Sequence, residues 1–229
     1  MEDSMKNLII LIASLFAVTA QAQTVFEHFI VYDQWLPLTG PGGEPIPHII
    51  VPGEFYCTGG GEPDSSVPVG CVDGNGIHIR DAQMVSCALE PTTNDWRLEG
   101  TGWWTIDANW DNTNTGPISG TWRIVPGDTD TCPDINLIMN PETYWDELYT
   151  YWEGTYSGTR VIVLDEDTPL GVKWISTAKF VGQGMGDLAG QKFKAVETIT
   201  TYYPSPAPGE FFGILEPEGI LNVTIKTKN

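Results

Sequence analysis

From Trp152 to Tyr203 the chain alternates apolar and polar residues with a period of two, in three runs separated by turn-forming clusters. Side chains two apart in a strand share a face, so this pattern predicts three consecutive strands, each with a dry side and a wet side. The first run groups Trp152, Gly154, Tyr156, Gly158, Arg160, Ile162 and Leu164 against Glu153, Thr155, Ser157 and Thr159. The second groups Val172, Trp174, Ser176, Ala178 and Phe180 against Lys173, Thr177 and Lys179. The third groups Phe193, Ala195, Glu197, Ile199, Thr201 and Tyr203 against Lys192, Lys194, Thr198 and Thr200. Glu166 to Leu170 and the glycine-rich stretch Gly182 to Gly190 are read as the connecting turns.

Two charges, Arg160 and Glu197, fall on otherwise apolar faces. An isolated charge in such a setting costs several kcal/mol and must be paired, neutralised or wetted. The expectation is that the two pair and line a ligand cavity among Trp104, Trp122, Tyr156 and Trp174.

The remaining runs extend the same plan. Val25 to Trp35 reads as a strand with apolar residues on both faces, Phe26, His28, Ile30 and Tyr32 alternating with Glu27, Phe29, Val31 and Asp33. Ile77 to Leu89 follows the turn signal Asp73-Gly74-Asn75-Gly76 and is expected to be a strand, with or without a bulge. Trp96 to Asp107 and Pro117 to Val125 share a Gly-Thr step beside an aromatic, at 100–101 and 120–121, which recurs at 154–155 and 158–159. Each such glycine leaves room for a neighbouring ring or bends a curved sheet. Leu36 to Pro52, with five prolines, reads as a long loop. Asn140 to Tyr151 is the best helical candidate, with Asn140 as N-cap and Pro141 at the first position. Phe211 to Lys226 is expected to form a last hairpin turning at Glu216-Pro217-Glu218-Gly219.

Residues 1–22 have a short polar lead with one lysine, an apolar run from Leu8 to Val18 and a small-x-small ending at Ala20-Gln21-Ala22. This reads as a secretory signal peptide, leaving 23–229 as a single domain in a secreted or periplasmic protein. The apolar run is too short for a comfortable membrane span, so no integral membrane segment is expected after processing. With 30 acidic against 11 basic residues, the formal charge is −19, which argues against nucleic acid and against anionic membrane surfaces as partners, since both need cationic patches. Cys57, Cys71, Cys87 and Cys132 form an even set, and in a secreted chain two disulfides follow by default, with Cys57–Cys71 and Cys87–Cys132 favoured. Asp107, Asn109 and Asp111 resemble the start of a Ca²⁺ loop, but Asn112 stands at the turn glycine and Ile118 at the closing glutamate. No metal and no cofactor is expected.

Short strands punctuated by turns, with almost no helix, predict an all-β fold: an antiparallel barrel first, lipocalin-like or allene-oxide-cyclase-like, and a two-sheet sandwich second. The glycine-rich strand pairs and the segment GQGMGDLAGQKF, over residues 96–203, resemble the allene oxide cyclase and dirigent barrel superfamily. That resemblance implies a small hydrophobic or aromatic ligand in the barrel mouth, either held or cyclised. Three readings therefore stand: a secreted barrel binding such a molecule, a cyclase or isomerase, and a carbohydrate-binding β protein with nine tryptophans available for stacking.

Overall fold

Period-two segregation of apolar and polar residues does yield strands. The computed structural model describes residues 23–34, 38–39, 45–46, 49–51, 53–58, 76–111, 115–127, 150–167, 171–202 and 215–228. In chain order the strands are β1 (Thr24–Gln34), β2 (Leu38–Thr39), β3 (Pro45–Ile46), β4 (Ile49–Val51), β5 (Glu54–Cys57), β6 (Ile77–Pro91), β7 (Gly100–Trp110), β8 (Gly116–Pro126), β9 (Tyr151–Leu164), β10 (Val172–Met185), β11 (Lys192–Tyr202) and β12 (Leu215–Lys228). The leader, the helical candidate at 140–151 and the tight turn at Asp73 to Asn75 lie outside the described residues.

The long strands pair antiparallel with their chain neighbours from β6 to β12, and β1 then returns to lie beside β12. The order is β1-β12-β11-β10-β9-β8-β7-β6-β4, with β5 also on β6 and a separate β2–β3 pair. This corrects the barrel expectation, lipocalin-like or allene-oxide-cyclase-like, and the sandwich alternative as well. The chain builds one ten-stranded antiparallel sheet. Closure by a full ladder would need β1 along the whole outer edge of β6. Instead β1 meets β6 only from Val31↔Pro91 to Gln34↔Ala88, because β4 and β5 occupy that edge at Gln83–Met84 and at Ile77–Arg80. The sheet coils over its inner face, and the seam between β1 and β6 is four residue pairs long, continued by a hydrogen bond from the Thr92 amide to the Ile30 carbonyl at 3.0 Å.

Several boundaries move for identifiable reasons. Trp96 to Glu99 is a turn region and the strand starts at Gly100. The expected glycine-rich turn is shorter than drawn, since β10 continues through Gly182 and Gly184 and only Gly186–Leu188 breaks off as a 3₁₀ turn. Gly182 tolerates the strand interior because Trp122 fills the space: a Cβ there would stand 2.6 Å from Trp122 Cζ2. The expected C-terminal hairpin is instead one strand, Leu215–Lys228. Pro217 falls before the β1 ladder begins at Gln34↔Glu218, and the β11 register shifts beside it between Thr200 and Tyr202, so the missing N–H breaks no regular pairing. In the proline-rich loop, β2 and β3 pair over two residues each.

The inner face holds the main core, in which Trp122 and Trp152 are almost wholly buried against Phe193, Phe180 and Leu221. Trp122 meets Phe193 at 4.7 Å and Phe180 at 5.9 Å between ring centres. A second cluster, Cys57, Ile77, Ile79, Ala82, Ala108 and Trp110, lies beneath β5, β6 and β7. Strand β6 carries two register shifts, between Ile79 and Ala82 and between Ser86 and Leu89. At the first, Asp81 adopts φ 54° and its amide donates to Asp107 Oδ1 at 3.1 Å. Each inserted residue tightens the local twist. One end of the core is capped by Arg97, which bonds Glu27 at 3.0 Å and Asp95 at 2.6 Å, while Trp152 Nε1 donates to the Arg97 carbonyl at 2.7 Å. The hydrogen bond to Arg97 holds the Asp95 carboxyl below its ordinary range.

The two-bridge cysteine framework is not found among the described residues. Cys57 is buried and disulfide-bonded, but the side chains of Cys71, Cys87 and Cys132 lie outside the described residues, so no bridge with both ends described is found and the pairing Cys57–Cys71 with Cys87–Cys132 has no support.

Because Trp122 anchors the main core, Trp122→Ala is expected to cost about 3–5 kcal/mol in equilibrium denaturation. A loss under about 1 kcal/mol would show that the inner face is not packed around this ring.

Candidate functional site

The strand alternation brings Glu197 inward on β11, and the same alternation brings Asp33 inward on β1; the two are 3 % and 1 % exposed. β12 runs between them. In its register Asp33 stands opposite Gly219 and Glu197 opposite Leu221, so the carboxyls approach diagonally across β12. Gly219 makes that approach possible. A Cβ on it would lie 2.9 Å from Asp33 Cβ and 3.3 Å from Glu197 Oε1.

The two buried acids face one another over Gly219, and two carboxyls this close can share a hydrogen bond only when one of them carries a proton. Burial raises the proton affinity of Glu197 well above the usual carboxylate range, and the charge and hydrogen bond of Asp33 raise it further. Two like charges in one dry site cannot both ionise cheaply, so the pair titrates as a unit with one proton held. Burial also pushes the Tyr156 phenol above its ordinary range, with the charges of Glu197 and Asp107 adding to the effect. Its hydroxyl donates to the Thr105 carbonyl at 2.7 Å.

Arg160 is 6 % exposed on the inner side of β9. Its guanidinium lies over the rings of Trp110 at 4.7 Å and Trp174 at 5.7 Å, and NH2 donates to Thr201 Oγ1 at 3.3 Å. Weak hydration and a flat delocalised charge make arginine the cation that aromatic faces hold best.

Asp33, Trp104, Tyr156, Arg160 and Glu197 all line one cavity of about 100 Å³. Of the six residues expected at the site, Trp104, Tyr156, Arg160 and Glu197 meet there. Trp122 does not, being sunk in the core with its Nε1 on the Thr155 carbonyl at 3.1 Å, and Trp174 stands behind the lining, under the Arg160 guanidinium and with its carbonyl accepting from Thr201 Oγ1 at 3.5 Å. The charged neighbour that acts on the Glu197 carboxyl is Asp33. Asp33 escaped notice because β1 reads as apolar on both faces, which leaves no dry side to single out. Trp110 was obscured by the acidic loop it adjoins, although β7 extends as far as this residue.

The cavity corrects the functional expectation. At about 100 Å³ it is smaller than the ~150 Å³ that holds a benzene, and it has room for about three waters. Without a barrel mouth, and with an inner cavity below ring size, neither binding of a small apolar or aromatic molecule nor a cyclase or isomerase reaction on one is supported; the larger space among the described residues, about 420 Å³ beside Trp96, Glu99, Thr150 and Asp187, is an open surface depression that shares no lining residue with the inner cavity. The carbohydrate-binding alternative is not supported either, since Trp104, Trp110, Trp122, Trp152 and Trp174 are buried and, among the described tryptophans, the exposed one is Trp96. The calcium-like loop spends its oxygens on the protein: Asp107 accepts from the Asp81 amide, Asn109 from Arg80 at 2.6 Å and Asp111 from the Thr115 amide at 3.1 Å. No group of three or more ligating side chains suited to a metal occurs among the described residues.

Comparison with protein-family models, curated proteins and solved structures finds no match for this chain. The resemblance to allene oxide cyclase and dirigent proteins is therefore withdrawn together with the barrel on which it rested.

Gly219→Ala tests the geometry of the pair. The added methyl would crowd Asp33 Cβ and Glu197 Oε1, and the expected cost in chemical denaturation is about 1–3 kcal/mol. A neutral result would mean that the carboxyls do not meet over this glycine.

Proposed function

We propose that this protein is a proton-responsive structural module of an extracellular or periplasmic compartment, in which the Asp33–Glu197 pair keeps the β1–β6 seam shut while it shares a proton. The observation that carries this reading is the double position of Asp33. It partners Glu197 across Gly219, and it also belongs to the seam, opposite Leu89. The leader-like stretch at 1–22 supports the compartment.

Charged and titratable groups face the pair from several strands. Asp33 faces Glu197 from β1, Arg160 and Tyr156 line the same cavity from β9, and Asp107 acts on Tyr156 from β7. Below the ordinary Glu value of 4.5, folded and unfolded chains both hold the Glu197 proton, and the pair's contribution to stability is fully present. As pH rises from there towards the raised folded value, the unfolded chain gives up its proton while the folded chain retains it. Stability from this group therefore falls with rising pH, the reverse of an ion-paired carboxylate. When the proton finally leaves, two carboxylates repel each other beside a seam only four residues long.

Glu197→Gln supplies the test, because its amide keeps a donor toward Asp33 and cannot ionise. Relative to the parent, the variant is expected to gain stability as pH is raised from acid to about 9. Over the same range, amide exchange at 31–34 and 88–90 is expected to lose protection in the parent and keep it in the variant, after correction for intrinsic exchange rates. Identical pH dependence in the two proteins would sink the proposal.

A further inference from the structure

The outer face of β10, β11, β12 and β1 is unlike the rest of this acidic chain. Lys179, Lys192, Lys194 and Lys226 all project from it, with Lys192 directly opposite Lys226. Among the outward positions of these strands whose side chains are described, none is a carboxylate; Glu218, paired with Gln34 and Thr200, falls on the same side at the far end of β12. The acids of β1 and β11, namely Glu27, Asp33 and Glu197, stand at the alternate positions, where Glu27 bonds Arg97 and the other two form the buried pair. Four cations thus cluster on one face of a chain whose formal charge is −19.

The same face exposes apolar side chains: Phe26 at 57 %, Val181 at 50 %, Ile30 at 45 %, Tyr32 and Ile220 at 44 % and Val196 at 41 %. Phe26 and Lys226 are register partners, and the ammonium sits 5.6 Å from the ring centre. At the next outward pair along the same two strands, His28 bonds Thr224 at 3.0 Å. Such apolar clustering marks a contact surface rather than scattered exposure.

We infer that this face docks on a membrane surface bearing anionic headgroups. Lysines supply the attraction, and the aliphatic and aromatic side chains supply area to bury among headgroups, the combination that peripheral attachment needs. A second copy fits less well, because face-to-face pairing about a two-fold axis would set lysine against lysine. The net negative charge is no obstacle at close range, since screening over about 8 Å confines the interaction to the face presented. No helix among the described residues is long and apolar enough to cross a membrane, so attachment through this face is peripheral.

Flotation with phosphatidylglycerol-containing vesicles and with phosphatidylcholine vesicles tests the inference on the full protein. Retention by the anionic vesicles alone, reversed by salt, is expected. The double substitution K192E/K194E is expected to weaken retention by about fivefold or more for each lysine. Should that variant fold poorly, K192Q/K194Q gives a milder form of the same comparison, and an unchanged melting temperature certifies the fold. Three outcomes would overturn the inference: no retention by anionic vesicles, equal retention by both kinds, or retention indifferent to the lysines in a folded variant. Sedimentation velocity adds a fourth, a concentration-dependent dimer that disappears in the lysine variant without any vesicle binding.

Discussion

Two carboxyl groups buried against one another, with a glycine between them, set the terms for the rest of this structure. Desolvation makes two adjacent negative charges intolerable, so the interior accepts the pair by holding a proton. That proton lies close to the weakest join in the sheet. The eight strands β6 to β12 and β1 ladder along most of their lengths, whereas β1 and β6 share only four pairs, one of them contributed by Asp33. The chemical state of the site and the integrity of the seam are therefore coupled by position, with no moving domain required.

The strands sort charge as well as hydrophobicity. Across β1, β11 and the described outward part of β12, acids turn inward or to the Arg97 cap and lysines turn outward. One period-two pattern thus produces both a dry carboxyl pair and a cationic outer face. Net charge conceals this arrangement, because it averages over surfaces that no partner meets at once.

Much of this was legible in the residues. The alternation from Trp152 to Tyr203 gave the right strands, and it placed Arg160 and Glu197 inside, where desolvation makes them chemically interesting. The sheet's closure was not legible, since it depends on which strands take the outer edge of β6, and β4 and β5 come from a proline-rich stretch that reads as loop. Asp33 was hidden for a related reason: Phe26, Ile30 and Tyr32 made its strand look buried on both sides, when their side is the exposed one. The tryptophan count invited a ligand site, but packing used most of those rings. Their volume leaves a cavity of about 100 Å³, and volume of that kind cannot be read from spacing.

The most direct measurement is a ¹³C titration of the Glu197 side-chain carboxyl in the folded protein. Sharing of a proton with Asp33 predicts a resonance that remains in the protonated range well above the ordinary glutamate value of 4.5 and moves to lower pH in Asp33→Asn, where the neighbouring negative charge is gone. A Glu197 carboxyl that titrates in the ordinary range, indifferent to the residue at position 33, would contradict the account.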